Sequence, residues 1–324
     1  MKKALITGIT GQAGYWLSRL LLEEGYEVHG MVRRSVVPVV ERTSHLDKRI
    51  HFHVGDLTDV SSLNNILTVV RPDEIYNLAA QSHVGASWEL PILTAQVTGV
   101  GVLSLLEATR EFCPEAKFVQ LSSSEMFGNA PAPQNEETPL RAVSPYAAAK
   151  IFAHEMCQVY RESYDMSISC AICFNYESHR RGIDFVTRKI TNGLAKIAIG
   201  QSGELHLGNL MAERDWMHAE DAMRAVLMLA QHDLSMDVVI GSGVSHSVQE
   251  FLDLAIKITN DIPESKVKIT KSHIKSVGSL FRPAEVNRLC CDATKIKNIL
   301  GWEPRISLEG MIAGMVSYEL SLPI

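Results

Sequence analysis

The sequence predicts an α/β protein, with a doubly wound parallel sheet followed by a smaller, less regular α/β region. Three observations carry this. Short apolar runs alternate with helical periodicity up to about residue 174. The first run ends in Gly8-Ile9-Thr10-Gly11-Gln12-Ala13-Gly14, a turn whose glycines let backbone approach a phosphate at a helix N-terminus. Beyond Asn175 the alternation weakens, and basic and polar residues gather between 177 and 216.

The elements follow in order. Residues 3–7 are a first strand ending at Gly8, and 15–25 have helical periodicity closed by Gly25. Residues 26–33 alternate as a second strand, and 50–54 form a third that ends at Gly55-Asp56. Residues 61–70 are helical, 74–80 a fourth strand, 98–112 a helix and 117–122 a fifth strand. A long helix over 146–164 leads to a sixth strand over 167–174. Later, 238–240 and 267–269 read as strands, and 247–259 as a helix starting at a serine cap. The expected division is a Rossmann-type dinucleotide-binding domain over 1–174, with a segment returning near 215–245, and a second domain over 175–324.

Aromatic residues are only 6% of the 324, so the core must be mostly aliphatic. A net charge of −6 gives no electrostatic case for nucleic acid or an anionic membrane. No apolar run reads as approaching the ~20 residues of a membrane span. Met1-Lys2-Lys3 before an apolar stretch imitates a signal peptide, but glycines interrupt it at once, and a first strand is the better reading. Six scattered cysteines fit reduced thiols in a cytoplasmic protein. Cys170 and Cys173 match half of a zinc motif, yet positions i and i+3 of a strand face opposite sides, so core packing is expected and no metal.

The end of the second strand bears on the choice of dinucleotide. An acidic residue there would bind a ribose 2′-hydroxyl. Arg33 and Arg34 stand there instead, suiting the 2′-phosphate of NADP, the bland alternative being a solvated basic patch. Asp56-Leu57 falls where the adenine would lie, and Leu78-Ala79-Ala80 where small residues let a dinucleotide pass.

Tyr146 and Lys150 open the long helix one turn apart on one face. A lysine ammonium and a nicotinamide charge would favour tyrosinate, so Tyr146 could take a proton as hydride leaves the same alcohol. Ser123 follows the fifth strand and suits a hydrogen bond to the reacting oxygen. Glu125 is the unusual element, because a simple alcohol oxidation needs no carboxylate there. A dehydration does, to carry a proton from one carbon to a departing hydroxyl; a helix N-terminal charge is the plainer alternative.

The chain resembles the GDP-mannose 4,6-dehydratase family of extended short-chain dehydrogenases/reductases over essentially its whole length. The resemblance rests on Gly8 to Gln12, Asn77 to His83, Ser123 to Gly128, Ser144 to Ala147, Phe174 to Ser178 and Arg180 to Gly182. It continues through Phe185 to Ile190, Leu207 to Leu210, Arg214 to Trp216 and Phe281 to Val286. It implies conversion of GDP-mannose, or a related GDP-manno-sugar, to a GDP-4-keto-6-deoxy sugar by internal hydride transfer through NADP. Ser123, Glu125 and Tyr146 would be catalytic and Lys150 supporting. Gly8, Gly11, Gln12, Gly14, Ser82, Tyr176 and Arg181 would join the cofactor contacts. Asn175, Lys189, Arg214 and Arg282 would hold the diphosphate and base, Ser82 would also touch substrate, and Glu177 and Glu285 would face sugar or ribose hydroxyls. Arg214-Asp215 and Arg282 with Glu285 have plain ion pairs as their alternative.

Glu177-Ser178 favours a dehydratase over the related 4-reductases and epimerases, which remain the alternative on this fold. An intact Ser–Glu–Tyr–Lys set argues against a silent NADP-binding protein. Ala13, Tyr15, Tyr176 and His179 depart from the usual family pattern, and the segment over 33–56 is shorter than most. Those changes allow an altered sugar such as a GDP-manno-heptose. Leu103, Leu106, Ile151, Met156 and Val159 are apolar beyond the face a sheet would cover, and in the resembled superfamily those two helices pair about a two-fold axis. A homodimer or homotetramer is therefore expected.

Overall fold

A computed structural model describes residues 1–278 and 284–322. Strands β1 (Lys3–Thr7), β2 (Glu27–Val32), β3 (His51–Val54), β4 (Glu74–Asn77), β5 (Lys117–Ser123) and β6 (Ile168–Cys173) come first. Helices α1 (Gln12–Glu23), α2 (Val39–Thr43), α3 (Val60–Val70), α4 (Val84–Glu89), α5 (Pro91–Thr94), α6 (Gly101–Phe112) and α7 (Pro145–Tyr164) lie between them. There follow β7 (Asn175–Glu177), α8 (Val186–Ala198), β8 (Leu205–Leu207), β9 (Glu213–His218), α9 (Ala219–Gln231) and β10 (Asp237–Ile240). The rest comprises β11 (Ser245–Ser247), α10 (Val248–Asp261), β12 (Ile274–Ser276), α11 (Thr294–Leu300) and α12 (Leu308–Ser321).

Seven strands pair in the order β10-β6-β5-β4-β1-β2-β3, every pair parallel. One face packs Trp16, Leu17 and Leu21 of α1 with Met223 and Val226 of α9, and the other packs Leu63 and Leu67 of α3 with Leu105 and Cys157 of α6 and α7. Cys173 belongs to the first layer and Cys170 to the second, so neighbouring thiols look in opposite directions. The winding reverses between β1 and β4, and an α/β sheet opens its crevice at such a switch point. A separate core of Ile190, Leu194, Phe251, Met311 and Met315 joins α8, α10 and α12 beside the small sheet β11-β9-β7.

Several elements differ from the sequence reading for local reasons. β4 stops at Asn77, three residues early, because the Thr7 hydroxyl takes over. It donates to Asn77 Oδ1 (2.6 Å) and accepts from the amides of Leu78 and Ala79 (3.1 Å each), turning the chain out of the sheet. The helix starting at residue 98 is the end of a longer run whose Ala95–Val100 turn is π-helical. There Thr98 Oγ1 accepts from the Gln81 amide at 3.0 Å, holding the loop after β4. Residues 267–269 are not a strand: the Asn260 side chain satisfies both the amide and carbonyl of Ile269, and Ala198 takes the amide of Val267.

The helical run Pro91–Phe112 has the length and apolarity of a membrane span, contrary to the sequence reading, with 22 residues and a mean hydropathy of 1.4 in its most apolar window. Half of that window is buried, and Val102, Leu105 and Leu106 pack on the sheet, so the apolarity is largely that of a core helix. Leu106 is accordingly core rather than surface, as its side chain is fully enclosed. Leu103, Ile151 and Met156 are half-buried against the same or adjoining core, whereas Val159 is 44% exposed.

Candidate active site

A groove of about 960 Å³ runs across the switch point, between the C-terminal ends of the strands and the second core. Its floor begins at β1. Gly8 has φ +68°, and a Cβ there would lie 2.8 Å from the Ala79 amide nitrogen, so only glycine fits between the β1 and β4 loops. A Cβ on Gly11 would meet only Gly8 O, at 3.3 Å, leaving that side open. Gly14 does a different job from the one expected: a Cβ would fall 2.4 Å from Ile9 Cα, so it allows α1 to pack on the turn and does not line the groove. No side chain caps α1, and Gly11, Gln12 and Ala13 present its first turn to the groove. An open helix N-terminus behind a glycine cradle fits the pyrophosphate of a dinucleotide.

Arg33, Asp56, Leu57, Leu78, Ala79, Ala80 and Ser82 line the same groove, and Arg34 does not. Arg42 lines it instead, its Nη2 donating to Arg33 O at 2.7 Å. No local motif marked Arg42, which reaches the groove because the short α2 folds the 33–50 segment back. Gln12 is a clip as well as a lining residue. It donates to Tyr176 O (2.9 Å) and accepts from Ser178 Oγ (2.7 Å), tying the first turn of α1 to the segment after β7 begins.

At the far end of the groove, β5 delivers Ser123 and α7 delivers Tyr146 and Lys150. Ser144 caps α7 through the Ala147 amide (3.1 Å) and Pro145 fixes its first turn, which sets Tyr146 at the groove wall. Lys150 Nζ donates to Leu121 O at 2.6 Å and lies 6.0 Å from the Tyr146 ring centroid. Burial brings Lys150 down to about 8. Burial also pushes Tyr146 up to about 12, against a hydrogen bond with Ser123 that favours the anion. The expected lowering of the tyrosine is therefore absent in the protein alone, because desolvation opposes both charged forms.

Glu125 sits in the one-turn helix after β5, its amide donating to Ser123 Oγ at 3.3 Å. Its carboxylate is nearly buried, lines the groove, and lies 3.9 Å from Arg214 Nε. Arg214 does not pair with Asp215, which is held by Ser242 and by the Gly243 and Cys291 amides. It donates to Val286 O (2.8 Å) and to Glu285 (3.1 Å).

Asn175, Tyr176, Glu177, Arg181, Lys189 and Glu285 also line the groove. Glu177 is buried, accepts from Thr187 Oγ1 at 2.6 Å and approaches Arg181 Nε at 3.1 Å, and burial raises its pKa. Arg282 lies outside the described residues. Sequence reasoning missed His83, which caps α4 and meets the Phe185 ring edge-on at 5.2 Å, and Arg180.

The family described as GDP-mannose 4,6 dehydratase matches residues 5–315 of the chain. GDP-mannose 4,6 dehydratase 1 of Arabidopsis thaliana is 44% identical over 333 residues, spanning 99% of this chain and 90% of that protein. The chain belongs to the GDP-mannose 4,6-dehydratase family. GDP-mannose 4,6-dehydratase of Vibrio cholerae serotype O1 is 45% identical over 349 residues, 98% of this chain and 94% of that one. Among solved structures, a Thermus thermophilus UDP-glucose 4-epimerase complex with NAD is similar with a TM-score of 0.86, over 98% of this chain and 99% of that one. Its identity of 24% speaks to the fold alone. The four positions expected to depart from the family pattern fall into two pairs. Ala13 and Tyr176 line the groove, and the Tyr15 and His179 rings meet edge-on at 6.0 Å.

Proposed function

We propose that the chain is an NADP-dependent GDP-sugar 4,6-dehydratase acting on GDP-mannose or a related GDP-manno-sugar. The observation that carries this is Glu125 in one groove with Ser123, Tyr146 and Lys150, a carboxylate that alcohol oxidation alone does not need. When bound along Gly8–Gln12, a nicotinamide dinucleotide supplies the reversible hydride acceptor. Ser123 and Tyr146 bracket the C4 hydroxyl, and Tyr146 takes its proton as C4 is oxidised. The resulting ketone acidifies C5–H. Glu125 removes that proton and delivers it to the C6 oxygen, which leaves as water. Tyr146 would then restore its proton to C5 as C6 is reduced, which completes a GDP-4-keto-6-deoxy sugar. The sum is loss of one water with no net oxidation.

Lys189, Asn175 and the Arg214–Glu285 pair are the groups we assign to the nucleotide diphosphate and its ribose. Arg33 supports NADP over NAD through its place in the groove. Six free, buried cysteines support a reducing, cytoplasmic setting. Exposed Phe152 and Val159 on α7, with Val100 beside α6, support a homodimer through these helices.

The test is incubation with GDP-mannose, GDP-manno-heptose and other GDP-sugars without added reductant, followed by product mass. Loss of 18 Da (the mass of water; roughly one part in 30 of a GDP-sugar) without net nicotinamide reduction is expected. Stoichiometric release of oxidised dinucleotide would instead identify a reductase.

A further inference from the structure

Arg180 and Arg181 are adjacent but differently employed. The Arg181 guanidinium stacks over Phe185 at 3.6 Å and lies 3.1 Å from the buried Glu177 carboxylate. Both Nε atoms are buried without a formed hydrogen bond, but Arg180, which also lines the groove, has no carboxylate partner among the described residues. A buried Nε–H without an acceptor is an unsatisfied donor that an incoming anion can complete. Its carbon rests 4.6 Å from the centroid of Tyr15, on the second turn of α1.

The Tyr15 ring is fixed from several sides. His45 stacks on it at 6.3 Å, Trp16 and His179 meet it edge-on at 5.2 and 6.0 Å, and its hydroxyl accepts from Arg19 at 3.2 Å. A cation lying on a fixed aromatic ring is preorganised, so little side-chain entropy remains to be lost on binding. Two guanidiniums approach this ring, Arg19 at 5.6 Å and Arg180 at 4.6 Å from its centroid. The open first turn of α1 lies in the same wall of the groove.

We infer that Arg180, seated on Tyr15, binds phosphate oxygens of the dinucleotide. This rests on reading the groove as a dinucleotide site. Tyr15 acts only through Arg180 and is a positioning residue. Because the proposed reaction is redox-neutral, the chain has no need to release the dinucleotide between turnovers, and a further phosphate contact serves retention.

The experiment titrates nucleotide-freed protein with NADPH and NADH, following nicotinamide fluorescence. Arg180→Gln is expected to weaken NADPH binding by roughly 10- to 100-fold, the effect of losing a charge-assisted hydrogen bond. GDP affinity and melting temperature should stay at parental values. Tyr15→Phe keeps parental affinity, Tyr15→Ser loses part of it, and the Arg180→Gln, Tyr15→Ser double variant binds no more weakly than Arg180→Gln alone. Equal loss for NADPH and NADH places the contact on the pyrophosphate; loss for NADPH alone places it on the 2′-phosphate. NADPH affinity within twofold of parent in Arg180→Gln, or a parallel loss of GDP affinity and melting temperature, would overturn the inference. A parental protein that binds neither dinucleotide would overturn the groove reading and this inference together.

Discussion

Lys150→Met should make the fold more stable at neutral pH while abolishing turnover. The amine is buried, and Leu121 O is its one named acceptor. Its pKa falls from 10.5 to about 8 because burial penalises the ammonium. A gap of that size is worth roughly 3 kcal/mol at 1.36 kcal/mol per unit. Between pH 8 and 10.5 the unfolded chain holds the proton more often than the folded one, so stability rises with pH across that window. The penalty is complete below the folded value and gone above the unfolded one. Methionine matches the aliphatic stem without charge, but strands the Leu121 carbonyl at a cost of about 1 kcal/mol. A net gain of about 2 kcal/mol at pH 7 should raise Tm by roughly 3 °C for a chain of 324 residues. Denaturant melts of nucleotide-free parent and variant from pH 6.5 to 10.5 would measure it. A variant less stable than parent at pH 7, or a difference that ignores pH, would refute the argument.

Glu125→Gln should keep fold and dinucleotide binding yet lose dehydration by ~10²–10⁴-fold, with no solvent deuterium entering C5. Turnover within tenfold of parent would contradict its role. Arg33→Ala should lower the NADP-to-NAD affinity ratio, while Arg34→Ala, outside the groove, should leave it unchanged; the opposite ranking would reassign the 2′-phosphate. Phe152→Glu, at a side chain 39% exposed on α7, should shift sedimentation from a dimer toward a 36 kDa monomer. A parent already monomeric at micromolar concentration would remove the basis for that expectation.

What was legible in the sequence was what neighbouring residues decide. β1, Gly8 and α1 form one contiguous turn, and Tyr146 and Lys150 share one helical face, so spacing alone brought them to the groove. β4 was overrun because a hydroxyl 70 residues away, that of Thr7, ends it. β7, β9 and β11 are short strands whose pairing crosses tens of residues, so no local periodicity announces them. Arg34 attracted attention beside Arg33, yet Arg42 is the arginine that returns to the groove. Arg181 was assigned a cofactor contact and Arg180 none, yet both line the groove, and Glu177 lies beside Arg181.

The sheet's seventh strand has a consequence for synthesis. β6 is fully buried with β10 paired along one edge, and the Arg161–Asp237 contact (2.8 Å) clasps β10 to α7. On the ribosome, β6 emerges well before Asp237 exists. At roughly 5–20 residues per second, several seconds pass with that apolar strand as an open sheet edge. An unpaired edge of Ile168-Ser169-Cys170-Ala171-Ile172-Cys173 is a template for another chain. The nascent protein thus carries an open apolar edge after its first six strands have been made and before residue 240 has left the exit tunnel.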